Sequence, residues 1–295
     1  MKELGFIRSA LFVPGNRPDR VDKAVQTEAD VVIVDLEDAV PVGLKIGTRP
    51  IVADKIRQHC DRRMLVRING PETEFVRGDL EEIVCEPLTG VIVPKIESAD
   101  NMQFLHQLLC QSEQTQGMSK GSLAMIPLIE TALAVENVMR IASSKLTPRR
   151  HIIPALGAAD LALDVGFEIT KEGQELAYPR ARIAMACAAA GLGAPLDTPY
   201  MVDLKDHEAL EADIMRAKGF GFQGKLCIHP NQVNPCNRIF SPSEEEIAFA
   251  RKVIQAFETA ESDGKAAILV DGKFVDYPVV ERSRRILKMA TTEKV

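Results

Sequence analysis

Residues 31–38 read VVIVDLED: four consecutive β-branched residues, then a burst of acid. A short run that is apolar at every position, rather than at alternate ones, reads as a strand buried on both faces. Such strands belong to parallel sheets covered by helices. The same design recurs on either side. Residues 10–13 run into Pro14-Gly15-Asn16, 64–66 into Arg67-Ile68-Asn69, and 91–93 into Pro94-Lys95-Ile96-Glu97. Residues 123–129 end in Glu130-Thr131, and 151–156 end in Gly157 and, a little later, Asp160. Residues 194–196, before Asp197-Thr198, are the weakest of the set; residues 225–228, before His229-Pro230-Asn231, complete eight. Helical spacing or strong helix formers occupy 103–109, 133–142, 181–190 and 207–218. Eight strand–helix units in about 230 residues predict a (β/α)8 TIM barrel. An open, doubly wound sheet is the alternative, and no strand–GxGxxG–helix unit supports it.

The barrel is expected to occupy 1–240 and an extension 241–295. The stretch Ser241-Pro242-Ser243-Glu244-Glu245-Glu246 is a helix-start signal, a Ser cap followed three residues later by Glu. That helix is predicted to run to about residue 262, where Asp263-Gly264 stops it. A hairpin-like stretch follows at 267–275 around Asp271-Gly272, and a last basic helix at 281–290.

Bulk properties narrow the function classes. A chain of 295 residues with 46% hydrophobic content can bury one large core. The net charge is −6 and the basic residues are scattered, which argues against a nucleic-acid partner. The six cysteines form no CxxC pair and fit no zinc spacing, so reduced, packed thiols are expected. The apolar run before Pro14 is too short for a signal peptide, and no stretch approaches the ~20 apolar residues of a membrane span. A cytoplasmic protein without membrane segments is the expectation.

In a parallel barrel the residues just past the strand C-termini converge on one rim. Here these are Asn16, Glu37, Asp38, Arg67, Lys95, Glu97, Glu130, Asp160, Asp197 and His229. So many carboxylates on one rim repel unless cations neutralise them. Arg67 and Lys95 supply part of the balance, and a hard divalent cation with oxygen ligands is the simplest remaining source. Mg²⁺ suits two carboxylates completed by water and substrate oxygens, and no His/Cys cluster favours zinc. Glu130 and Asp160, at the ends of consecutive strands, form a candidate pair. Arg67 is the natural partner of an anionic substrate, because its planar fork matches a carboxylate. Arg17 and Arg20 either meet phosphates of a nucleotide-like cofactor or are solvated. His229 either shapes the pocket or bonds a loop, and Asp197, between two prolines, is equally explained as turn chemistry. Glu97 doubles as a candidate helix-start acid, and Lys95 as a neutraliser of a neighbouring carboxylate.

Several longer stretches resemble the citrate lyase beta-subunit family, which holds citryl-CoA, malyl-CoA and citramalyl-CoA lyases within the HpcH/HpaI aldolase group. They are SALFVPGNRPDR (9–20), VVIVDLEDAV (31–40), VRING (66–70), VPKIES (93–98), IPLIETALAV (126–135), LGAADLALDVG (156–166), KLCIHPNQV (225–233) and DGKFVDYP (271–278). The resemblance spans nearly the whole chain. It implies a barrel with Mg²⁺ on Glu130 and Asp160, with Glu37 and Asp38 near the water shell of the metal. It gives Arg67 the grip on an oxo-acid fragment, and implies that Asp276 reaches a neighbouring subunit's site as an acid/base. Asn16, Arg17, Arg20, Lys95 and His229 are the further substrate-contact candidates. A homo-oligomer, trimer or hexamer, is implied. One departure is the loop 41–50, PVGLKIGTRP, where Gly43 and Gly47 weaken an expected helix.

The expected activity is Mg²⁺-dependent carbon–carbon cleavage of a 3-hydroxy-acyl-CoA thioester, with coenzyme A entering as part of the substrate, to acetyl-CoA and an oxo-acid. The alternatives are a citrate lyase beta subunit working on a citryl thioester held by an acyl-carrier partner, a CoA-independent pyruvate aldolase, and a non-catalytic binding subunit.

Overall fold

The computed structural model describes residues 4–262 and 264–292. Eight strands run β1 (Ser9–Pro14), β2 (Val31–Asp35), β3 (Met64–Arg67), β4 (Gly90–Val93), β5 (Ala124–Ile129), β6 (Ala155–Leu156), β7 (Leu196–Asp197) and β8 (Gly224–Cys227). Each pairs in parallel with the next, and β1 closes on β8 through Ser9↔Lys225, Ala10↔Leu226 and Leu11↔Cys227. The predicted (β/α)8 barrel is therefore present. Its helical layer comprises α1 (Pro18–Ala24), α2 (Lys45–Gln58), α3 (Val76–Ile83), α4 (Ala99–Thr115), α5 (Ala132–Ala142), α6 (Ala158–Val165), α7 (Ala177–Ala189), α8 (His207–Phe220) and α9 (Val233–Phe240).

Alternation along each strand sorts side chains between barrel interior and helical layer. Ala10, Ile33, Leu65, Ile92, Ile126, Ala155, Leu196 and Leu226, one from each strand, form a single buried cluster. Their chain neighbours must face the helices. In β7 and β8 those neighbours are charged: Asp197 and Lys225, both buried. Asp197 takes a bidentate pair from Arg180 of α7 (3.0 and 2.9 Å) and a short contact from Lys225. Asp213 of α8 adds contacts to Arg180 (2.7 Å) and Lys225 (2.6 Å). Asp197 therefore does not join the rim. Its carboxylate ties β7 and β8 to two helices.

The short strands have local causes. β6 was expected over 151–156 but spans only its last two residues. Pro154 lacks the N–H that a continuous ladder needs, and upstream only the bridge Met125↔Ile152 remains. In β7, Pro195 delays pairing until Leu196. The helix expected to be weakened by Gly43 and Gly47 forms nonetheless. A 3-10 turn at Val42–Leu44 leads into α2, whose buried Val52, Ala53 and Ile56 outweigh the cost of a glycine facing open space. Lys45, at its start, donates to the carbonyls of Leu36 (3.0 Å) and Glu37 (2.6 Å) and so fixes the loop after β2.

The described residues form two compact units, divided between Arg238 and Ile239. In the second, α10 (Glu244–Ser262) opens on a capping box. The Ser243 hydroxyl accepts from Glu246 N (3.1 Å), and the Glu246 carboxylate accepts from Ser243 N (2.9 Å). β9 (Ile268–Val270) and β10 (Lys273–Val275) pair antiparallel across Asp271 and Gly272, whose φ of +50° and +74° suit a tight two-residue turn. α11 spans Tyr277–Thr292, starting four residues before the expected 281. An Asp followed by Tyr-Pro was the missed start signal: Asp276 accepts from Val279 N (3.3 Å), and Pro278 sits in the first turn. The predicted stop at Asp263 lies outside the described residues. Cys60 is exposed, and the other cysteines are buried free thiols. No helix among the described residues is long and apolar enough to cross a membrane.

Replacing Asp197 with Ala would strand Arg180 and Lys225 against Asp213 alone. Urea unfolding should show a loss of about 3–5 kcal/mol. A loss below ~1 kcal/mol would show that the buried ion cluster does not hold β7 and β8 to the helical layer.

Candidate active site

The C-terminal ends of the strands open on a cavity of about 460 Å³, lined among others by Phe12, Asp35, Arg67, Glu130, Asp160 and Ile228. Two charged constellations face one another across it.

The first is built on β2 and β3. Asp35 and Arg67 end neighbouring strands and pair in register. Asp35 is buried, and its carboxylate takes four hydrogen bonds. Arg67 Nε (2.7 Å) and Nη2 (2.5 Å) donate to it, as do the backbone N–H groups of Glu37 (2.9 Å) and Ala39 (3.1 Å). Its acceptor sites are thus filled by one guanidinium edge and the following loop. The remaining nitrogen, Arg67 Nη1, lies 3.0 Å from Glu37 and 3.3 Å from Asp38, and the guanidinium packs over the Phe12 ring at 5.0 Å. Arg67 was expected to offer its fork to a substrate; the Nε–Nη2 edge of that fork is already occupied by Asp35. Asp35 was missed as a functional residue, although the run VVIVD places it opposite Arg67 once neighbouring strand ends are aligned. Burial pushes the Glu37 carboxyl up to about 8. Arg67 opposes the shift, while Asp38, Glu130 and Asp35 add to it.

The second constellation joins β4, β5 and β6. Glu130, directly after β5, is buried and accepts from the backbone N–H of Lys95 (2.8 Å). Lys95 holds a left-handed backbone, φ +53°, which is uncommon for a residue with a side chain. Its ammonium lies 2.7 Å from Asp160 and 3.8 Å from Glu130. Asp160 comes from the first turn of α6, just past β6. Between them, Gly157 leaves room for Glu130: a Cβ there would stand 2.7 Å from both Cβ and Oε2 of the glutamate. Burial pushes the Glu130 carboxyl up to about 7. Lys95 pulls it down and Asp160 pushes it further up.

These residues fit a hard divalent cation. The donors are carboxylate oxygens, the buried one lacks enough positive charge to stay ionised through neutrality, and an ammonium already lodges between them. Among the described residues no cluster of three or more His, Cys, Asp and Glu forms a cage. A cation here would complete its shell with water and substrate oxygens, the habit of Mg²⁺.

The other candidates divide. Arg20 lines the cavity, and with Lys23 and His229 it also lines an adjoining one of about 510 Å³. Arg17 is exposed and pairs with Asp19 (3.3 Å); Asn16 is half-buried beyond β1. The His229 Nδ1 accepts from Asn231 N (3.2 Å), capping its own loop. Glu97 is not the helix-start acid. Ser98 caps α4, and the first-turn acid is Asp100. Asp276 belongs to the second unit, where it caps α11.

A family model described as HpcH/HpaI aldolase/citrate lyase matches residues 8–230. The citrate lyase subunit beta of Leuconostoc mesenteroides subsp. cremoris is 36% identical, over 96% of this chain and 93% of that protein. The L-malyl-CoA/beta-methylmalyl-CoA lyase of Rhodobacter capsulatus is 32% identical, over 98% and 96%. A crystal structure of the protein CitE from Mycobacterium tuberculosis, in complex with magnesium, acetoacetate and coenzyme A, superposes with a TM-score of 0.77. It is 29% identical and covers 98% of this chain and all of that one.

A carboxyl whose folded pKa is raised above its unfolded value of 4.5 stabilises the fold at low pH and ceases to do so as pH climbs through the folded value. In chelator, the melting temperature should therefore fall between pH 5.5 and 8.5, and fall less in Glu130→Gln. A flat or rising profile in the parent protein would contradict the burial of these two carboxyls without a compensating cation.

Proposed function

The chain belongs to the HpcH/HpaI aldolase/citrate lyase family, and from that premise we propose that it is a Mg²⁺-dependent carbon–carbon lyase acting on a 3-hydroxy-acyl-CoA thioester. Glu130 and Asp160 facing Arg67 across one cavity is the observation that carries this reading. The names of the relatives, citrate lyase subunit beta and malyl-CoA/beta-methylmalyl-CoA lyase, support the substrate class.

The products are acetyl-CoA and an oxo-acid. The 3-hydroxyl must lose its proton, the bond between C2 and C3 must break, and the electron pair must pass to the thioester as an enolate whose carbon is then protonated. Glu130 and Asp160 would hold Mg²⁺, which supplies Lewis-acid polarisation of the oxygens on the oxo-acid side. Arg67 presents Nη1 to the same fragment and offsets negative charge there. Asp35 keeps the guanidinium from rotating, so that this edge is oriented before substrate arrives. The hydroxyl proton passes to Asp38 on the loop after β2. Asp38 lines the cavity, and Glu37 backs it against Arg67. Arg20, with His229 nearby, faces the thioester's phosphates, and Arg17 joins them by leaving Asp19. Asn16 and Lys95 complete the substrate contacts. Asp276, on the tail of a second copy in a homotrimer or hexamer, protonates the enolate carbon.

A second reading has support from the 36% identity to a citrate lyase beta subunit: the same chemistry on a citryl thioester carried by an acyl-carrier partner. A panel of (S)-citramalyl-, malyl- and citryl-CoA with Mg²⁺, run beside a carrier-bound citryl thioester, separates the two. Free CoA esters should release acetyl-CoA and an oxo-acid. Turnover of the carrier thioester alone would establish the second reading, and turnover of neither would remove both.

Within the active panel, Glu130→Gln should lower kcat by about a hundredfold or more, and Arg67→Lys should lower kcat/KM by about 10²-fold. Near-parent turnover in Glu130→Gln would reject the metal assignment. Asp276→Ala should leave KM near the parent value and slow turnover; an unchanged kcat would reject its acid role.

A further inference from the structure

We propose that Lys95 is a built-in counter-cation: it holds the Glu130–Asp160 pair together when no divalent ion is bound, and it is displaced when one binds. The inference rests on the divalent-cation reading above.

Three observations converge on it. The Lys95 ammonium stands between the two carboxylates, 2.7 Å from Asp160 and 3.8 Å from Glu130. The backbone N–H of the same residue donates to Glu130 Oε1 at 2.8 Å, so one residue meets that carboxylate with a hydrogen bond and with a nearby charge. Its left-handed φ of +53° marks a constrained backbone at a residue that has a side chain. Strain of this kind persists where surrounding structure requires it, and here it accompanies a main chain and a side chain that both reach Glu130.

Arg67 and Lys95 differ in how they are held. Arg67 is fixed through Nε and Nη2 to buried Asp35 and is itself largely enclosed. Lys95 has a flexible stem, is 41% exposed, and has the two candidate metal ligands as its ion-pair partners. An ammonium carries three donors and no acceptor, so it cannot ligate a metal ion. An ammonium and a divalent cation on the same two carboxylates would repel strongly at this range. Binding of the ion is therefore an exchange, in which the ammonium leaves the pair while the backbone N–H can remain on Glu130. The exchange lowers the apparent affinity for the ion. It also spares the ion-free protein two uncompensated carboxylates beside each other.

The test uses full-length protein stripped by chelator and buffered at pH 8.5. Mg²⁺ binding is measured by calorimetry, and melting is followed in EDTA and at saturating Mg²⁺. Lys95→Met should bind Mg²⁺ about tenfold more tightly or better. It should melt below the parent in EDTA and at or above it in Mg²⁺. Lys95→Arg, which keeps the charge, should bind Mg²⁺ close to the parent. Lys95→Gln gives the same reading as Lys95→Met if the methionine variant does not fold. Unchanged or weaker Mg²⁺ binding in the neutral variants, with melting lowered equally in both conditions, would overturn the proposal and leave Lys95 a permanent structural partner of the two carboxylates. A parent protein that binds no Mg²⁺ would remove the metal reading and this inference together. Normal binding by the parent, with no gain in the neutral variants, removes the inference alone.

Discussion

Glu130 is a carboxylate buried at the end of a barrel strand, and much of the site follows from the need to place positive charge beside it. Burial alone would keep it protonated near neutrality. Lys95 offsets this with a backbone N–H and an ammonium, and Gly157 clears the space that the side chain occupies. Asp160 then approaches the same ammonium from the first turn of α6. The left-handed Lys95 and the bare Gly157 flank one carboxylate, which is why the loops after β4 and β6 cannot be exchanged for generic turns.

Across the cavity the logic is reversed. There a buried carboxylate, Asp35, is fully satisfied, and its role is to immobilise a cation. Four hydrogen bonds on one side chain connect β3 to the loop that carries Glu37 and Asp38. Lys45 fastens the same loop from α2. Arg67 is thus a fixed positive group, whereas Lys95, on its flexible stem, is the one proposed to be released. That pairing suits chemistry in which a substrate anion must be aligned while a second charge is exchanged.

The barrel was legible because its strands are apolar on both faces and end in polar residues, and that pattern needs no tertiary information. The rim carboxylates were legible for the same reason: a strand end announces which residues converge. Partner choice was not. Asp197 and Glu130 both follow the apolar runs of their strands, yet Asp197 turns outward to Arg180 and Lys225, because alternation puts Leu196 inside. Asp35 opens the acidic burst after 31–34 yet is not among the rim candidates, because nothing in the run itself distinguishes it from Glu37 and Asp38. Its importance depends on the register that sets it against Arg67. The extension's helix boundary at Asp276 was hidden by the same weakness: a cap is a single hydrogen bond, and the basic run after it drew attention to a later start. The roles proposed for Glu37, Asp38 and Asp276 came from the family resemblance, since no spacing rule distinguishes an acid/base from a solvated acid.

The central claim is that Glu130 and Asp160 together hold a divalent cation within reach of Arg67. Crystals grown with Mn²⁺ in place of Mg²⁺ and measured at the manganese edge test it most directly. The account predicts an anomalous peak within coordination distance of both carboxylates, with the Lys95 ammonium withdrawn from them. Manganese bound elsewhere, or the ammonium still bridging Glu130 and Asp160 at saturating metal, would contradict it.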